Sequence, residues 1–115
     1  MKLREIAHAR AGDKGNTSNI AVIAFDPRDY PHLCEQLSAQ RVRDHFAGIV
    51  RGQVLRYELP LLGALNFVLH GALGGGVTRS LALDAHGKSL AMLLLDLDIA
   101  EPGHAPGPGE RAQNG

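Results

Sequence analysis

Net charge is missing from this sequence: 12 lysines and arginines are balanced by 12 aspartates and glutamates. Without a basic excess or a basic run, the long-range attraction that nucleic acid or an anionic membrane surface requires is lacking, and both are excluded as partners. Cysteine is nearly absent. The single thiol, Cys34, cannot close an intramolecular disulfide, which fits a reducing compartment. It lies in an apolar helical pattern rather than beside a basic partner, so it reads as a core thiol and not a reactive one. Long apolar runs are missing too: stretches such as Ala91 to Leu95 fall far short of the ~20 residues that cross a bilayer. The N-terminus, MKLREIAHARAGDKG, has no apolar stretch of the signal-peptide kind. A cytoplasmic location is the expectation.

Catalytic and metal signatures are equally scarce. The six histidines, at positions 8, 32, 45, 70, 86 and 104, form neither H-x₃-H nor H-E-x-x-H spacing, and a lone cysteine cannot build a thiolate zinc site. No metal and no cofactor is expected. Neither Ser80 nor Ser89 sits in G-x-S-x-G, so no serine nucleophile is proposed.

What is present is one domain's worth of globular sequence, 44% apolar over 115 residues. The last fifteen, EPGHAPGPGERAQNG, hold three prolines and four glycines and cannot bury apolar surface, so the folded unit is expected at 1–100 with a flexible tail over 101–115. Met1 to Ala9 reads as a first strand and Asn19 to Phe25 as a second, central one. From Pro31 to Val50 the apolar positions shift phase at Gln40 and Arg41, which predicts two helices with Ser38 capping the second. Gln53 to Leu59 alternates cleanly, with Leu55, Tyr57 and Leu59 on one side, Val54, Arg56 and Glu58 on the other, and one side meeting the core.

Leu65, Val68, Leu69 and Ala72 fall at helical spacing, which predicts a short helix closed by glycines. Arg79 to Asp84 reads as a strand, and Lys88 to Ile99, whose spacing fits both a helix and a strand, as a helix running into a short final strand. Together these elements predict a two-layer α+β sandwich.

The densest polar stretch is His8 to Asn19, expected as a glycine-flexed loop between two strands. Amides freed by Gly12 and Gly15, with Arg10 and Lys14 nearby, could cradle a phosphate or carboxylate. The plainer reading is a loop fixed internally by Asp13, Asn16 and Asn19, and residue types alone favour it. His8 and His70 are weak acid/base candidates if they meet near Asn66. Ala82 to Ser89 matches a loose nucleotide-loop pattern, but a plain turn with Gly87 at positive φ accounts for it better. The glycines at 71 and 74–76 lack dinucleotide spacing and mark close packing or approach to a ligand.

Four segments, AHARAGDKGNTSNIAVIA, SAQRVRDHFAGIVRGQVLRYELP, LNFVLHGALGGGVTRSL and LDAHGKSLAMLLLDLDI, carry a resemblance covering nearly all of 1–99. The chain resembles the ferredoxin-fold domain found at the C-terminus of acyclic terpene utilisation protein A and in short free-standing relatives. The resemblance implies a ferredoxin-like sandwich, mainly antiparallel with helices on one face, and a role tied to breakdown of citronellol- or geraniol-type terpenes. It raises the weight on Arg10, Gly12, Asp13, Lys14, Gly15, Asn19, Asn66, Gly74, Gly75 and Gly76, with Arg79 in the same third segment, as ligand-binding candidates.

Longer relatives carry this domain after a large N-terminal domain without a counterpart in these 115 residues. The implied function is therefore an accessory domain that docks on a separately encoded large family subunit or self-associates as a homo-oligomer. The alternative is a small enzyme or binder taking an acyl-CoA or similar anionic ligand through the 10–19 stretch.

Overall fold

The computed structural model describes residues 1–14, 17–71 and 90–102. Met1 to Ala9, expected as a strand, instead opens with a 3-10 turn at Leu3–Glu5. Glu5 Oε2 accepts from the Lys2 amide at 3.0 Å, a local bond that competes with extension. Strand β1 follows at Ala7–Lys14 and β2 at Thr17–Ala24. They pair antiparallel from Ala7 opposite Ala24 to Lys14 opposite Thr17. The expected polar loop is therefore mostly a hairpin. Gly12 is a ladder residue opposite Asn19, not a bend, because paired strands satisfy the backbone and leave polar side chains free to face water.

Asp26 ends the hairpin by accepting from the Arg28 amide at 2.9 Å, which starts a 3-10 turn at Pro27–Asp29. Helices α1 (Tyr30–Gln36) and α2 (Ala39–His45) follow with the predicted break between them. Ser38 Oγ accepts from the Arg41 amide at 3.0 Å, as its capping role requires. The last carbonyls of α1 lack helical partners. Arg56 supplies them from the sheet, its Nη1 donating to Cys34 O at 2.8 Å and Leu37 O at 3.3 Å.

Strand β3 (Val54–Leu59) lies where expected. Its core side is that of Val54 and Arg56, since Arg56 reaches the helices and Tyr57 is half-exposed. A 3-10 turn at Pro60–Leu62 and Gly63, at φ 61, then reverse the chain. The stretch predicted as a helix from Leu65 is strand β4, Ala64–His70. Its Leu65, Phe67 and Leu69 are fully buried at a spacing of two. Pairing with β2 on one side and β3 on the other outweighs the coincident helical spacing. The predicted strand over Arg79 to Asp84, the turn at Gly87 and the glycines at 74–76 lie outside the described residues.

Helix α3 (Leu90–Leu95) buries Ala91 and Leu94. Beyond it Leu97 and Ile99 are buried and the backbone runs beside the N-terminus: the Leu3 amide donates to Leu97 O at 2.9 Å and the Ile99 amide to Met1 O at 2.8 Å. The expected helix is there, but in place of the expected short final strand only an isolated bridge joins Asp98 to Lys2. His32 Nε2 donates to Ala100 O at 2.6 Å and His45 Nε2 to Leu93 O at 2.8 Å, so two histidines serve as structural donors.

The sheet order is β1-β2-β4-β3, antiparallel throughout. Among the described residues the three helices pack on one side of it: α3 against β1, α2 against β3, and α1 against β2 and β4. Between the layers lie Ile20, Val22, Leu33, Leu37, Phe67 and Leu94, none more than 0% exposed. Each such side chain contributes about 1.5–3 kcal/mol on burial. This is the predicted two-layer α+β sandwich.

Candidate functional site

Strand alternation divides the sheet residues between two faces. The inner face meets the helices. On the outer face the register sets side chains in cross-strand rows, and among the described residues no helix covers it. One row runs His8, Ile23, Ala64, Leu59; the next runs Arg10, Ala21, Asn66, Tyr57; the third runs Gly12, Asn19, Val68, Leu55.

Polar groups gather in the second and third rows. Asn19 Nδ2 donates to Asn66 Oδ1 at 3.3 Å, linking β2 to β4 across the face. A Cβ on Gly12 would lie 3.0 Å from Asn19 Oδ1, so glycine there leaves room for that amide. Beneath it, on the buried side, Ser18 Oγ donates to Gly12 O at 3.0 Å. Arg10 is exposed, and no carboxylate stands among the outer-face residues of the three rows.

Apolar groups gather at the first row and beyond it. His8 stacks on Phe25 with ring centroids 5.4 Å apart, and Phe25 is itself 62% exposed. The Ala24 amide donates to Gly63 O at 3.0 Å, which sets the Pro60–Leu62 turn beside Phe25. In that turn Leu61 is 100% exposed and Leu62 69%. Tyr57 and Leu59 extend the patch onto β3.

The structure thus brings Arg10, Gly12, Asn19 and Asn66 together. It does not bring His8 and His70 together: His8 is opposite Ile23 and His70 opposite Thr17, six residues apart along β2. That is about 20 Å at the rise of a strand, too far for a shared proton. Asp13 and Lys14 belong to β1 through their backbone pairing with Ser18 and Thr17. Gly15, Gly74, Gly75, Gly76 and Arg79 lie outside the described residues.

Sequence reasoning missed Phe25, Tyr57, Leu59, Leu61 and Leu62. A signal was present in the unbroken run from Leu59 to Leu62, where a strand end rich in apolar residues meets a proline. Among the described residues no cluster of three histidine, cysteine or acidic side chains could hold a metal, and no helix is long and apolar enough to cross a membrane. The cleft between α2 and the start of β3, lined by Ala39, Gln40, Arg43, Gln53 and Val54, holds none of the candidate residues.

An antiparallel four-stranded sheet with its helices on one face defines a two-layer α+β domain of ferredoxin-like fold. Along the chain the described elements run strand, strand, helix pair, strand, strand, helix. From β2 onward this is the start of a β-α-β-β-α-β unit, with β1 flanking its first strand from the front of the chain. The family model of the AtuA ferredoxin-like domain matches residues 1–100, and the chain belongs to that family. Comparison with curated proteins and with solved structures gives no match.

Proposed function

We propose that this chain is an accessory interaction domain of acyclic terpene catabolism, docking through the outer face of its sheet on a protein partner. The partner is a separately encoded large subunit of the family or a second copy of the chain. One observation carries the reading: Phe25, Tyr57 and Leu59 are exposed beside a turn whose Leu61 is 100% exposed. Antiparallel sheets that face water on one side present polar residues there, and contiguous exposed apolar patches mark interaction sites. The family name supports the terpene setting.

The test is co-expression with a large family subunit, followed by size-exclusion chromatography with light scattering. Co-elution or self-association is the expected result, lost in a Phe25→Ser, Leu61→Asp double variant that melts at the parental temperature. A strictly solitary monomer that binds no large subunit would overturn the reading.

A second reading rests on Arg10, exposed on a face whose three described rows hold no carboxylate, and close to the Asn19–Asn66 amide pair. A small anionic ligand, such as an acyl-CoA or a terpenoid acid, would meet a cation and amide donors there. Thermal-shift screening decides it: a ligand at ~100 times its dissociation constant adds about 2.7 kcal/mol of stability. No shift with any of these compounds removes the reading.

A further inference from the structure

We infer that the occupant of the outer sheet face is a second copy of this chain, packed face to face about a two-fold axis parallel to the strands. The inference rests on the docking reading above and names its partner. A two-fold axis running between β2 and β4 sets β1 over the partner's β3 and β2 over the partner's β4, and it keeps the rows in step. Gly12 then lies over the partner's Leu55 and Ala21 over the partner's Asn66. In both pairs a small residue meets a larger one, the match that interdigitated sheets ~10 Å apart need.

Charge selects the same axis. The face carries Arg10 and no carboxylate in its three rows. Turning the second copy about an axis across the strands would stack β1 on β1 and bring the two Arg10 guanidinium groups within a few ångströms along one track. With the axis parallel to the strands, β1 and the partner's β1 lie at opposite edges, three strand spacings or about 14 Å apart. That exceeds the screening length of ~8 Å at physiological salt. Arg10 falls instead over the partner's Tyr57, whose ring is a favourable neighbour for a guanidinium. Tyr57 is 50% exposed, so its ring is available for that contact.

Four strands give a footprint about 19 Å wide and, over six paired residues, about 20 Å long. Side-chain relief and the rim of Phe25, Leu61 and Leu62 bring the buried area toward the lower range of specific interfaces, ~1,200 Å² in total. The expected dimer is therefore reversible, dissociating on dilution rather than obligate.

Sedimentation equilibrium from low micromolar to several hundred micromolar protein tests the arrangement. The expected result is a monomer–dimer equilibrium, abolished by Ala21→Glu at the centre of the face and by Tyr57→Asp near its edge. Far-ultraviolet circular dichroism and melting temperature establish that each variant is folded, and either folded variant suffices. Arg10→Ala weakens the dimer about five- to thirtyfold, the value of the two exposed cation–π contacts that the two-fold axis generates. A monomer at every concentration, or a dimer that both folded variants leave intact, overturns the inference. If the monomer nonetheless co-elutes with a large family subunit, the docking reading survives without the homodimer.

Discussion

Tyr30 shows how one side chain sets a pH limit on the fold. Its hydroxyl is buried, and no hydrogen-bond geometry reaches it among the described residues. Burial pushes the phenol up to about 12, and the neighbouring Cys34 adds to the rise. In the unfolded chain a tyrosine ionises near ~10. Between those values the folded state keeps a proton that the unfolded state has lost, so stability falls as pH rises through that window and is fully present below it. The urea midpoint is expected to drop over this range in the parent and to drop less in Tyr30→Phe; parallel curves for the two would refute the assignment. Nothing in the sequence pointed to Tyr30, because its environment is made by helix–sheet packing. The candidate residues Arg10, Asn19 and Asn66 were legible as residue types, but their neighbourhood depends on strand pairing.

At the scale of elements, the break between α1 and α2 was the most readable feature. The apolar stripe slips phase where Ser38 supplies a cap, and both facts are local. Ser38→Ala should destabilise the protein by about 1 kcal/mol, whereas Ser38→Gly costs only a few tenths, because a glycine N-cap leaves the first helical amides open to water. Chemical denaturation of the two variants measures the difference. Strand β4 was misread for a physical reason: Leu65, Val68 and Leu69 satisfy a helical stripe while Leu65, Phe67 and Leu69 satisfy a strand. The tie is broken by Gly63 in the left-handed region and by two flanking strands, one of them β2, more than forty residues earlier in the chain. The hairpin of β1 and β2 was hidden likewise, since polar residues on an outer face resemble a loop until a partner strand claims their backbone.

At the scale of the whole molecule, the segments 1–3 and 97–99 close the fold on itself. Leu3 is 0% exposed, and its amide donates to Leu97 O at 2.9 Å. Two surface ion pairs, Lys2 with Asp98 and Arg4 with Asp96, run alongside and contribute little. Leu3→Ala is expected to cost about 2–5 kcal/mol and to leave a single unfolding transition, because the side chain joins the same core as Leu94 and Ile99. A calorimetric scan with two resolved transitions would show instead that this closure is a separate unit. Two-layer architecture was legible from composition and alternation, but the seam between the chain's two ends was not, as it depends on contacts across almost the full length.

That seam lies with the helices, where Ala100 is held by His32 and Gln36. A tether joined at residue 1 or residue 100 would leave from the helical layer, away from the sheet face that no described helix covers. Gene fusion at either point would therefore leave the outer sheet face as accessible as it is in the untethered chain.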